Sequence, residues 1–201
     1  MAITRERFET GLTYDQYKAQ MTRNRERFEA NERAVPLEPE DLESFRRLPR
    51  PLNVFVLAED WCGDVIANLP VLGRIAADSG TLNVRVFPRD QHPDLMDQYL
   101  LRGEFKSIPV IVFLDDDFNE LGRFVERPAS VTELRAQRQR ELFEQHPEFG
   151  VVGAPIDQLP DDVRVQLAQA VAELREQTAP FAAREVVREL RAIVEGVPAS
   201  A

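Results

Sequence analysis

Cys62 is the one cysteine of this 201-residue chain, and its neighbours favour thiol chemistry. It follows an apolar run over residues 54–58 and two acids, Glu59 and Asp60. It lies between Trp61, the only tryptophan, and Gly63. Beyond it, Val65, Ile66, Leu69, Leu72, Ile75 and Ala76 keep helical spacing. The pattern predicts a strand buried on both faces that hands over to a helix at the sulfur. Unpaired N–H groups and the helix dipole at such a junction stabilise a thiolate, the nucleophile of disulfide exchange. Gly63 lets the backbone turn and leaves the sulfur approachable. Acids oppose this. Asp64 suits the first helical turn, worth about 0.3–1 kcal/mol, but with Glu59 and Asp60 it places negative charge near the thiol. The helix effect amounts to less than about one pKa unit. The opposing effects are of similar size, so no strongly acidic thiol is expected.

The elements that must position this sulfur can be read in order. A helix is predicted over residues 12–31, with Thr13 and Gln16 as a capping box and Leu12 packing on Tyr17. Pro39 opens a short helix with Leu42, Phe45 and Leu48 inward. After the helix that follows Cys62, which contains Pro70 and closes at Ser79-Gly80, a strand is expected over 83–88 and a short helix over 93–101. Strands over 109–114 and 121–125 flank a turn containing Asp115, Asp116 and Asp117. Ser130 and Glu133 mark a further helix start. A loop over 146–159 leads to two last helices, the second opened by Pro180 and ended by Gly196 and Pro198. The order is α/β with a mixed sheet, because a tight hairpin makes its two strands antiparallel.

Composition bounds the function. The net charge is −10, with ten basic and ten acidic residues in 1–50 and the acidic excess in the remainder. Phosphate binding needs clustered positive charge, so nucleic acid is not an expected partner. No apolar run approaches the ~20 residues that span a bilayer, and the first residues lack a signal pattern. A cytoplasmic protein with no membrane partner is expected. A lone cysteine excludes an internal disulfide and a cysteine-rich zinc site. His92 and His146 have no second histidine at ligand spacing, and the triple aspartate lacks calcium-loop spacing. No metal site and no cofactor is expected.

Three segments carry a resemblance. Ala58-Glu59-Asp60-Trp61-Cys62-Gly63 is similar to the thioredoxin active-site approach, with one residue more than the usual A-E-W-C-G. Arg89-Asp90-Gln91-His92-Pro93 is similar to the segment after the next thioredoxin strand. Ser107-Ile108-Pro109 resembles the cis-proline loop. The resemblance spans residues 52–127, and the terminal helices resemble those of larger bacterial thioredoxin-like proteins with a WCGD motif. It implies a thioredoxin-like fold, with a central four-stranded mixed sheet flanked by helices. The implied organisation is an N-terminal helical extension (1–50), a core (51–129) and a C-terminal helical extension (130–201), in one compact domain.

The resemblance further implies that Cys62 is the attacking thiol, that Trp61 flanks it, and that Pro109 is cis after Ile108, whose backbone is free to pair with a substrate chain. The chain departs from the family's C-x-x-C, which here reads Cys62-Gly63-Asp64-Val65, with Val65 in place of the resolving cysteine. The family's buried aspartate is also missing, because Phe55, Val56 and Leu57 are apolar. A mixed disulfide at Cys62 would therefore need an external thiol for its release, from a small thiol or a partner protein. The alternative is a redox-inactive module that binds a peptide or protein at the cis-proline groove.

Overall fold

The computed structural model describes residues 3–196. The expected end of the last helix at Pro198 lies outside them. The sheet is built on β2 (Leu52–Ala58), whose run of apolar side chains is buried on both faces. β3 (Leu82–Pro88) pairs parallel to it on one side, and β4 (Val110–Leu114) antiparallel on the other. β5 (Glu120–Val125) pairs antiparallel with β4. The four expected strands are present. A fifth, β1 (Leu12–Thr13), lies antiparallel along the edge of β3, giving the order β1-β3-β2-β4-β5.

β1 occupies residues read as the start of a helix over 12–31. That helix is instead divided into α2 (Tyr14–Gln20) and α3 (Arg25–Ala34), preceded by α1 (Arg5–Glu9), which the sequence reading missed. Close approach of the backbone to β3 explains the edge strand. A Cβ at Gly11 would lie 2.6 Å from the Phe87 ring. The capping box at Thr13 and Gln16 forms as expected, but it opens a helix of only seven residues. The break that follows is held from outside, by Asp60.

α4 (Pro39–Arg46) buries Leu42 and Phe45. α5 (Gly63–Ser79) runs unbroken through the buried Pro70, and Gly80 ends it in the left-handed conformation. α6 (Pro93–Met96) is shorter than the helix expected over 93–101. The turn between β4 and β5 is a satisfied hairpin. The Asp115 carboxylate accepts from the N–H groups of Asp117 and Asn119, which closes the turn.

α7 (Ala129–Gln145) starts one residue before Ser130, with Pro128 at the cap position. The two last helices expected on either side of Pro180 are one continuous helix, α8 (Asp161–Glu195). Thr178-Ala179 supplies no glycine or asparagine stop, and helix formers flank the proline on both sides.

The chain forms two compact units: residues up to Arg127 together with those from Ala183 onward, and Pro128–Ala182. The first holds the sheet and its core, into which the end of α8 inserts Val186, Val187, Leu190 and Val194. There Arg184 pairs with the buried Asp41. In the second, Phe149 is buried, with the His146 ring stacked on it at 4.9 Å. No helix of the described residues is long and apolar enough to cross a membrane.

Candidate functional site

Cys62 occupies the N-cap position of α5, at the end of the central strand, as its neighbours predict. Its backbone is extended, and its carbonyl accepts the first intrahelical bond, from Ile66 N–H at 3.0 Å. The side chain is half-buried. Its Sγ lies 3.5 Å from the Ile108 carbonyl oxygen, to which the thiol can donate. The Ile108–Pro109 peptide is cis. The structure thus brings together Cys62, Ile108 and Pro109, from two segments 46 residues apart.

Burial pushes the Cys62 thiol above its ordinary value. The N–H groups of Val65 and Asp64 pull it down, Asp64 raises it and Arg127 lowers it. Desolvation of the sulfur, which the neighbouring residue types do not reveal, is the largest influence and exceeds the contest between helix and acids.

The acids around the thiol do not act together. Asp60 points away, into the break between α2 and α3. Its Oδ2 accepts from Thr22 N–H at 2.7 Å, Thr22 Oγ1 at 3.0 Å and Arg23 N–H at 2.9 Å. Its backbone carbonyl accepts from Asn24 Nδ2, and Asn24 has a left-handed backbone. The additional residue in the approach to Cys62 is thus the anchor of the N-terminal helices. Glu59 accepts from Asp90 N–H at 2.8 Å, and burial raises its carboxyl above the ordinary range.

Asp64 faces Arg127. The guanidinium donates from Nε to Oδ1 at 2.9 Å and from Nη2 to Oδ2, and Nη2 also reaches the Glu126 carboxylate at 2.9 Å. Val65, at the resolving position, is fully buried in the core. A hydrocarbon fills the place where a second thiol would stand.

Trp61 is 43% exposed, and the Arg89 guanidinium lies 4.8 Å from its ring centroid. Arg89 also donates to the Lys106 carbonyl at 3.0 Å, which ties the tryptophan to the loop before Ile108. His92 is a satisfied histidine. Its ring packs on Phe87, and Arg7 Nη2 lies 3.0 Å from Nδ1.

Three site residues escaped the sequence reading: Asn68, Glu126 and Arg127. Asn68 is buried on α5 and donates from Nδ2 to the Glu126 carbonyl at 2.7 Å. Glu126 has φ 64° and donates its N–H to the Pro109 carbonyl at 2.7 Å. Two bonds through Glu126 therefore link the helix that carries Cys62 to the loop that carries Pro109. The available signal was a polar residue inside the apolar stripe of α5, since a buried amide requires a partner. Among the described residues no group of three or more His, Cys, Asp or Glu could hold a metal ion.

A central strand that ends in a thiol at a helix N-terminus, opposite a cis-proline, defines a thioredoxin-like fold. A family model described as thioredoxin matches residues 11–140, more than half of the chain, and the chain belongs to that family. Two solved structures share the fold over nearly the whole length. One is PA1234 from Pseudomonas aeruginosa, a protein of unknown function, with 21% identity, TM-score 0.66, and 96% of this chain and 98% of that one covered. The other is a 4E10 HIV epitope-scaffold, with 19% identity, TM-score 0.66, and 98% and 100% covered. No curated protein matches the chain in sequence.

Proposed function

We propose that this protein forms a durable mixed disulfide at Cys62, with a small thiol such as glutathione or with a cysteine of a partner protein. The observation that carries the reading is the placement of a half-buried Sγ at a helix N-terminus, 3.5 Å from the Ile108 carbonyl, with Val65 where a resolving thiol would stand. In the exchange, Cys62 loses its proton and attacks one sulfur of a disulfide. A new S–S bond forms, the old one breaks, and the departing thiolate takes up a proton. No second thiol in this chain can reverse the step.

The raised thiol slows attack without abolishing it. Each unit of rise cuts the thiolate fraction tenfold, but the more basic sulfur is the better nucleophile. The net loss is about three- to fourfold per unit. A basic sulfur is also a poor leaving group, so an external thiol releases Cys62 slowly. The result is capture rather than rapid turnover. A reducing compartment such as the cytoplasm would supply the releasing thiol.

The test is incubation with oxidised glutathione, followed by intact-mass measurement. One added glutathione in the wild type and none in Cys62→Ser is expected. An unmodified wild type after prolonged incubation at pH 8.5 overturns the reading. A second reading, a groove that binds an extended peptide without exchange, draws on the raised thiol. It is favoured if a partner retained by the wild type is retained equally by Cys62→Ser.

A further inference from the structure

The geometry points to Arg127 as a positioning residue that, by pairing with Asp64, sets how readily the Cys62 thiol gives up its proton. The inference rests on the mixed-disulfide reading for its consequence, because ionisation governs the rate of attack.

Asp64 is two residues beyond Cys62, in the first turn of α5, and its side chain is only 15% exposed. Left alone there, its charge would oppose a thiolate through poorly screened surroundings. Arg127 offsets part of that opposition with two parallel N–H donors, a fork that lysine lacks. The guanidinium arrives from just after β5, whose last residue Val125 pairs with Val110 as Leu57 does, at the same end of the sheet as Cys62. It is held by its bond to the Glu126 carboxylate, while Asn68 fixes the Glu126 carbonyl and Pro109 the Glu126 N–H. The cation is therefore built into the same turn that fixes the cis-proline loop.

The other groups that act on the sulfur are few. Tyr17 on α2 faces it, and burial keeps that phenol neutral. Asp60 is turned towards Thr22 and Arg23, and Glu59 towards Asp90. Asp64 and Arg127 are the charged pair whose influences on Cys62 have opposite sign.

The experiment is the pH dependence of iodoacetamide alkylation of Cys62 in the full chain, which reads ionisation without any redox step. Arg127→Gln leaves Asp64 uncompensated and raises the midpoint. Asp64→Asn removes the opposing charge, leaves the guanidinium paired with Glu126, and lowers the midpoint. Each shift is expected to be roughly 0.5–1 unit. The double variant returns towards wild type, and Arg127→Lys restores part of the Gln effect. A merely structural pair behaves differently. Breaking it from either side loosens the same turn and moves both variants in one direction. Shifts of the same sign, or no shift in either variant, overturn the proposal. Should Arg127→Gln fail to fold, Asp64→Asn decides alone, and an unchanged or raised midpoint overturns it. Opposite shifts with no glutathione adduct in any variant would uphold the role of Arg127 and sink the mixed-disulfide reading instead.

Discussion

Asp60 and Asp64 are equally far from Cys62 along the chain, yet they belong to different parts of the molecule's physics. Asp60 is a structural anchor. One oxygen of its carboxylate accepts from donors at residues 22 and 23, and its effect is to stop one helix and start the next. Asp64 is an electrostatic partner, matched to Arg127 at the edge of the thiol site. The difference shows that a count of acids near a cysteine does not give its local field. What decides is where each carboxylate points and which donors reach it first.

Each side of the comparison can be broken separately. The largest effect is expected on the helix side, at Asn68→Ala. The change removes the amide that satisfies the Glu126 carbonyl and leaves a small cavity, at a cost of about 2–4 kcal/mol. For a chain of this size that is a fall in Tm of roughly 5–15 °C by calorimetry. Asn68 also holds the turn that delivers Arg127, so the alkylation midpoint of Cys62 should move as well. On the approach side, Asp60→Ala removes the acceptor of three donors near the surface and should cost about 1–3 kcal/mol. Its alkylation midpoint should stay at the wild-type value. A midpoint that moves with Asp60→Ala, or stays fixed with Asn68→Ala, would erase the distinction between the two sides.

Much of this arrangement was legible in the sequence, for definite reasons. The junction at Cys62 is local: a doubly buried run, a glycine and a helical stripe stand within a few residues of one another. Pro109 could be placed because Ser107-Ile108-Pro109 resembles a known loop. The split of the first helix could not be seen, because the acid that breaks it lies 38 residues away from Thr22. Arg127 was missed for the same kind of reason, since its partner is 63 residues back. The fused last helix shows a different failure. Pro180 is a breaker by local rules, but helix propagation on both sides outweighs one lost bond.

The pH dependence of stability sharpens the contrast between neighbouring acids. Burial raises the Asp60 carboxyl, but N–H donors from Thr22 and Arg23 outweigh it and leave the group below its ordinary value. A depressed carboxyl contributes stability that is present above the unfolded value of about 3.9 and is lost as pH falls through the folded one. Asp60→Asn should therefore be less stable than wild type at pH 7 in urea unfolding, with the gap closing below about pH 4. Glu59 carries the opposite slope. Its raised carboxyl opposes folding when ionised, and protonation relieves that in mild acid. A gap for Asp60→Asn that is constant between pH 7 and pH 3 would remove Asp60 from the list of ionised anchors.

The smallest expected effect is at Tyr17, whose phenol lies within the influence of both acids. Its hydroxyl is buried and has no hydrogen-bond partner among the described residues, and Asp60 and Glu59 add to the burial that keeps it protonated. A buried hydroxyl without a partner has lost its water and gained nothing in exchange. Tyr17→Phe removes that deficit while keeping the ring that packs on Phe28 at 6.4 Å. Stability should stay within about 0.5 kcal/mol of wild type or rise slightly. The Cys62 midpoint should also hold, because a neutral phenol carries no charge to the sulfur. If Tyr17→Phe instead lowered stability by more than about 1 kcal/mol, the hydroxyl would have a partner in solution. Asp60 and Glu59 are the nearby acceptors, and a bond to Asp60 would add to those that Thr22 and Arg23 make.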